Sequence, residues 1–207
     1  MYEKLRLHPL CQWIIIHLRY VLGFAFIPSG LVKLVGERFT IISKDHPIGL
    51  FFDGLYQSGF YYNVIGGTQV FVAFLLMTQR FATLGALLYS CVIFNIWMIT
   101  LSLSFKGTWV ITSLMMFATI ILLIFDWEKL KSIVSYNSLS QVKVYPEPSF
   151  LWQITGLIYF SSFVIIWFVG VDQREWIKFI MILVVLIFII TNYRTYVQYR
   201  KKRRNVK

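Results

Sequence analysis

The chain has 207 residues, 58% hydrophobic, 18% aromatic and only 14% charged, with a formal net charge of +11. Soluble domains carry about 25% charged residues, so this composition, with a mean hydropathy of +0.69, excludes an ordinary water-soluble globule. A basic excess without a nucleic-acid-reading motif also argues against nucleic-acid binding and points to a membrane surface.

Six apolar stretches are each long enough to cross a hydrocarbon core about 30 Å thick. Inside lipid only a helix satisfies its own backbone groups, so the expected fold is all-α: a polytopic membrane protein with six transmembrane helices. One membrane domain over 1–207 is expected. It comprises a four-helix part over 11–130, a cytoplasmic loop over 131–150, a helix pair over 151–193 and a basic cytoplasmic tail over 194–207.

The first helix is expected over Cys11–Val35. No small-residue cleavage site follows it, so it is expected to remain as a membrane helix. It contains His17, Arg19 and Lys33, and ionisable groups at this depth are functional candidates. Arg19 and Lys33 are separated by 14 residues, which at 100° per residue brings them within about 40° of one face. Each is close enough to a membrane surface to snorkel, which lowers its cost. Pro28, Ser29 and Gly30 lie just below Lys33. Proline frees a carbonyl and glycine permits close approach, so they form a polar notch near the outer leaflet.

The segment Gly36–Tyr61 is too interrupted by Gly and Pro to span. It mixes Phe, Leu and Tyr with His46, Asp53 and Gln57, the pattern of a short helix lying in the interface. It reads either as a lid over the outer end or as a plain anchor.

The second to fourth helices are expected over Tyr62–Thr78, Phe81–Ser104 and Thr108–Phe125. Polar residues on them that could face the notch are Thr68, Gln69, Tyr89, Ser90, Asn95, Thr112 and Ser113. Interhelical hydrogen bonding accounts for most of them without a ligand. Pro146 and Pro148 then end regular structure, before helices over Leu151–Val171 and Trp176–Tyr193. The last of these is dense in Ile, Leu, Val and Phe, and is expected to face lipid or a broad apolar partner.

Orientation follows the basic residues. With the N-terminus inside, Lys4, Arg6, Arg80, Lys129, Lys131, Lys143 and seven tail residues lie inside. Arg38, Lys44, Lys106, Arg174 and Lys178 lie outside. Both termini are therefore expected in the cytoplasm, with Arg200, Lys201, Lys202, Arg203 and Arg204 against anionic headgroups. Cys11 and Cys91 are far apart and read as packed thiols. His8, His17 and His46 have no ligand spacing, so no metal is expected. No catalytic constellation is visible, and no carboxylate lies within an expected helix body, which counts against proton-coupled transport.

Arg19, Gly23, Ser29-Gly30 and Lys33 are followed by Gly66-Gly67-Thr68-Gln69-Val70 and by the run from Leu75 to Ala86. Phe105-Lys106-Gly107-Thr108 and Phe125-Asp126-Trp127 come next. In this order and spacing, over residues 15–130, the chain resembles DoxX-like membrane proteins. The resemblance implies a compact four-helix bundle. It also implies an association with thiosulfate:quinone oxidoreduction, or with membrane complexes that handle oxidative stress. Distant relatives act as membrane chaperones or cargo receptors. The chain departs from that pattern at Gln69, where an acidic residue is common, and at Gln79, where proline is common. The fifth and sixth helices are extra.

Three functions are weighed. The first is an accessory subunit binding a quinone or lipid for a partner or redox complex, as a homo-oligomer or with another membrane protein. The second is a structural subunit or assembly factor of a larger complex. The third is a small quinone-linked oxidoreductase. Candidate ligand-binding residues are Arg19, Ser29, Gly30, Lys33, His46, Asp53, Gln69 and Asn95.

Overall fold

The computed structural model describes residues 6–134, 148–169 and 174–204. Among these residues there are eight helices and no strand: α1 (Pro9–Leu34), α2 (Pro47–Gln57), α3 (Phe60–Met77), α4 (Ala82–Ser102), α5 (Thr108–Phe125), α6 (Trp127–Val134), α7 (Phe150–Val169) and α8 (Arg174–Arg204). Six of them, all but α2 and α6, are long and apolar enough to cross a membrane. The protein is therefore an integral membrane protein of all-α class.

α1 is the central helix. Its buried residues recur as Ile15, Arg19, Leu22, Phe26, Gly30 and Lys33, a spacing of three or four that keeps one broad face turned inward. That face packs chiefly against α3 and also touches α5 and α7. Phe26 stacks on Tyr89 of α4 with ring centroids 4.0 Å apart.

Lipid tails are as apolar as leucine, so helices in a bilayer are joined by close packing and hydrogen bonds and not by water exclusion. Both devices are present. A side chain at Gly66 would run into the backbone of Gly30, Lys33 and Leu34, so the two small residues set how closely α1 and α3 approach. At Gly156 a Cβ would overlap the Met77 carbonyl, and α7 is seated on the end of α3 for that reason. Thr100 and Thr112 bond α4 to α5 at 2.8 Å, and Thr155 and Thr191 bond α7 to α8 at 3.0 Å. Thr112 and Ser113 thus serve α4, through Thr100 and the Trp97 indole, and not the polar notch.

Trp13 Nε1–H donates to Asn192 Oδ1 at 2.6 Å. This places the start of α1 beside the C-terminal half of α8, so both described chain ends lie at one end of the bundle, here the basal end. The α3–α4 turn, Asp126 and the start of α7 are at this end. Lys33, the 36–59 segment and the α4–α5 turn form the distal end.

Three elements differ from the sequence expectation. α8 does not stop at Tyr193 but continues to Arg204; the hydropathy ends there, while Arg and Lys are good helix formers and carry the helix onward. Residues expected in a polar loop form α6, an eight-residue helix, Trp127–Val134. Cys91 is exposed on α4, not packed, whereas Cys11 is half-buried.

Candidate functional site

Polar side chains gather at both ends of α1. At the basal end Arg19 is buried and forms an ion pair with Asp126, Nη2 to Oδ2 at 2.7 Å. Its Nη1 donates to Gln79 Oε1 at 3.1 Å. Gln79 Nε2 in turn donates to the Ile16 carbonyl at 3.3 Å, and Thr83 Oγ1 donates to Asp126 Oδ2 at 3.1 Å. Four segments therefore converge on one guanidinium: α1, the α3–α4 turn, the start of α4 and the end of α5.

Gln79 adopts φ +60°, a left-handed conformation uncommon outside glycine, asparagine and aspartate. Its two side-chain bonds hold it there. A cleft of about 50 Å³ opens beside this cluster, lined by Arg6, Arg19, Arg80, Thr83, Asp126 and Lys129 among others. Such a space admits a few waters or one small ion, far below the roughly 300–1,000 Å³ of a drug-sized ligand pocket.

At the distal end Lys33 is only 6% exposed. Its Nζ donates to the Ser29 carbonyl at 2.8 Å and lies 4.0 Å from the centre of the Phe39 ring, a cation–π contact. Among the described residues it meets no carboxylate. Gln69 Nε2 donates to Ser29 Oγ at 3.2 Å, but Gln69 Oε1 is buried without a partner. Phe39 is fixed over Lys33 because its N–H donates to Tyr62 Oη at 3.0 Å, and that hydroxyl donates to the Glu37 carbonyl at 2.9 Å.

The expected interfacial helix exists as α2, where Asp53 anchors the loop. Arg38 Nη1 reaches Asp53 Oδ1 at 2.7 Å, Lys44 Nζ reaches Oδ2 at 2.8 Å, and Gln57 Nε2 also donates to Oδ2. Hydrogen bonds from Lys44 and Arg38 hold the carboxyl down at about 2, because both stabilise the charged form.

The eight candidate residues thus separate. Ser29, Gly30, Lys33 and Gln69 come together at the distal end, with Gly30 taken up by the contact with α3. Asp53 is close by in the loop latch. His46 is exposed and caps the start of α2 with its backbone. Arg19 belongs to the opposite end: it shares Lys33's helix face but serves a different cluster. Asn95 is exposed and bonds back to the Cys91 carbonyl at 2.9 Å, so it faces away from the notch. Thr68 likewise bonds the Val64 carbonyl. Of the tail residues, Arg200 is exposed; Lys201, Lys202, Arg203 and Arg204 continue α8, and their side chains lie outside the described residues.

Asp126, Gln79 and Thr83 were not among the candidates. Asp126 sits one residue beyond α5, where it reads as a loop residue. A signal was nonetheless present, since an arginine two to three turns into a membrane helix requires a counter-charge, and Asp126 stands at the end of a span facing the same side. No family model, curated protein or solved structure matches the chain.

Proposed function

We propose that this chain is a DoxX-like accessory subunit of the inner, cytoplasmic membrane. In this reading it holds the polar head of a lipid or quinone at the distal end, near the outer leaflet, for a partner protein or redox complex. Both termini are cytoplasmic and the basic end of α8 touches anionic headgroups. The chain itself performs no catalytic step.

The observation that carries the reading is the incomplete satisfaction of Lys33 and Gln69. Lys33 has three N–H donors and gives one to an oxygen, while Gln69 Oε1 accepts none. A buried cation without a counter-ion is costly. A quinone or ester carbonyl would accept from Lys33, and a lipid or quinol hydroxyl would donate to Gln69. Phe39 covers Lys33, and a ligand reaches it by displacing that ring while the Asp53 latch holds the rest of the loop. Mass spectrometry of a solvent extract of the purified protein should find a lipid or quinone in stoichiometric amount. Lys33→Met should lose it while remaining folded. Wild-type protein that carries neither, and that fails to bind a fluorescent quinone analogue, removes the reading.

A structural role in a larger complex has one observation in its favour. Most apolar residues of α8 are exposed, among them Phe179, Ile182, Leu186 and Ile189, and lipid or a partner helix would cover them equally well. Native pull-down in mild detergent separates the cases: a stoichiometric partner lost when these residues are changed to alanine favours the structural role.

A further inference from the structure

We propose that the outward face of α4 is a dimerisation surface, occupied by α4 of a second copy of this chain and paired through Asn95. The inward face of α4 carries Ala82, Gly85, Ala86, Tyr89, Ile93 and Thr100, all buried. On the opposite side Leu84, Leu88, Cys91, Asn95, Met98 and Ser102 recur at alternating steps of four and three. This is the a/d register in which two helices pack with a left-handed twist, with Asn95 at a and Cys91 at d. Leu88 is half-buried and the other five are exposed. At 100° per residue the six fall within about 80° of one another, so they form one stripe.

Asn95 is the residue in this stripe that lipid cannot satisfy. It stands seven residues before the end of α4 at Ser102, about 10 Å inside the span at 1.5 Å per residue, and so in the hydrocarbon. A carboxamide has two N–H donors and a carbonyl acceptor. One N–H is given to the Cys91 carbonyl at 2.9 Å, and among the described residues nothing donates to Oδ1. Asn192 on α8 shows the same side chain satisfied. Its Nδ2 bonds back to the Phe188 carbonyl at 2.8 Å, and its Oδ1 accepts from the Trp13 indole of α1. An amide left in an apolar medium without such a partner is costly.

Acyl chains offer neither donor nor acceptor, and a foreign helix would need a polar group at the same depth. A second copy has one by symmetry. Two copies inserted the same way up are related by a two-fold axis along the membrane normal, so a residue near that axis meets its own counterpart. A carboxamide both donates and accepts, so the free N–H of each Asn95 reaches Oδ1 of the other. Asparagine at an a position fixes the register and the two-helix state of such a pair. The exposed face of α8 makes no such demand, because Thr191 and Asn192 are already engaged with α7 and α1. The surface shares no residue with the Lys33–Gln69 pair, so the two readings stand or fall separately.

Full-length protein labelled at its C-terminus with a donor or an acceptor fluorophore is reconstituted in phosphatidylcholine vesicles. Energy transfer is followed as the protein-to-lipid ratio is varied. Saturable transfer of a dimer is expected. Asn95→Leu places an apolar side chain in lipid and leaves the monomer folded. It should weaken the dimer about eightfold, the equivalent of two hydrogen bonds in a bilayer, whereas Asn95→Gln should retain it. With Cys11→Ser, Cys91 is the one remaining thiol, and copper–phenanthroline oxidation in membranes should give a disulfide-linked dimer on a non-reducing gel. With Cys11→Ser and Cys91→Ser, Ile182→Cys on the exposed face of α8 should give none. Absence of energy transfer, transfer unaffected by Asn95→Leu, or a crosslink through Ile182→Cys and not through Cys91 overturns the proposal. So does a foreign membrane protein that co-purifies in place of the second copy and is lost in Asn95→Leu.

Discussion

Arg19 and Asp126 are worth more as a pair than either is alone. Each is desolvated, at 6% and 2% side-chain exposure, and their attraction offsets that cost only while both are present. Asp126→Asn should therefore destabilise the protein by about 3 kcal/mol or more, because it leaves a buried arginine uncompensated. Arg19→Met with Asp126→Leu should come close to wild type. Thermal melts in detergent, followed by tryptophan fluorescence, measure both; equal losses in the single and double variants would show that the pair does not act as one unit. The Asp53 latch obeys the opposite kind of control, by pH. Its carboxyl is held down at about 2, below the roughly 3.9 of a free aspartate. The stabilisation is thus fully present above about pH 4 and lost as pH falls toward 2. Amide exchange across residues 36–46, corrected for intrinsic rates, should be flat between pH 5 and 8. Asp53→Asn should give at neutral pH the fast exchange that wild type reaches only in strong acid. Fast exchange in wild type already at pH 5 would mean that the ion pairs do not hold the loop.

At the level of elements, the helix pair α7–α8 is attached by a band of aromatic contacts, among them Tyr20–Tyr159, Phe24–Phe163 and Phe74–Phe160, and by a few specific polar and backbone ones. Gly156 lies against the Met77 carbonyl, and the Tyr20 hydroxyl donates to the Trp152 carbonyl at 2.6 Å. Trp13 bonds Asn192 of α8 at the same, basal end. Interhelical hydrogen bonds in bilayers contribute about 0.6 kcal/mol each, so the close backbone contact at Gly156 carries more of the attachment than the bonds do. Expressed as two pieces, residues 1–134 and 148–207 should co-purify. Gly156→Leu should separate them, at a cost of about 1–3 kcal/mol for overpacking, while the piece with α1 to α5 stays folded. Co-purification unaffected by Gly156→Leu would refute the seat at Met77. The spans themselves were readable from hydropathy because lipid imposes length and apolarity on every crossing, and α2 was readable from its mix of aromatic and polar residues. The Arg19 cluster was not readable. Asp126 is 107 positions away in the chain, and nothing in a linear pattern says which polar residue at a span's end turns inward. Asn95 failed for the reciprocal reason: it lies on a helix exposed on several sides, and the apolar pattern of α4 does not mark which side meets the bundle.

For the whole molecule, orientation is decided by charge and not by packing. The bundle would be equally well packed either way up, since the tails on both sides of a bilayer are alike. What differs is the cost of moving cations across the membrane during insertion, which retains loops rich in Lys and Arg in the cytoplasm. The basal end carries Arg6, Arg80, Lys129 and Lys131, and α8 brings its basic last turns to the same end. The distal end carries Arg38, Lys44, Lys106, Arg174 and Lys178, of which Arg38 and Lys44 are paired with Asp53 and Lys178 with Glu175. Acidic residues count little in this rule, so the contrast rests on the number of cations at each end. A fluorescent protein fused after residue 207 should therefore mature and fluoresce in the cytoplasm. Alkaline phosphatase inserted between Ile41 and Ile42 should be active outside, Ile41 being fully exposed at 98%. Replacing the tail cations with glutamine while adding lysines to the 36–46 segment should produce a mixed population, detectable as loss of both signals together. An active phosphatase at the C-terminus of the unaltered chain would invert the molecule. The distal pair Lys33–Gln69 would then face the cytoplasm, and the basal cleft beside Arg19 would open to the exterior.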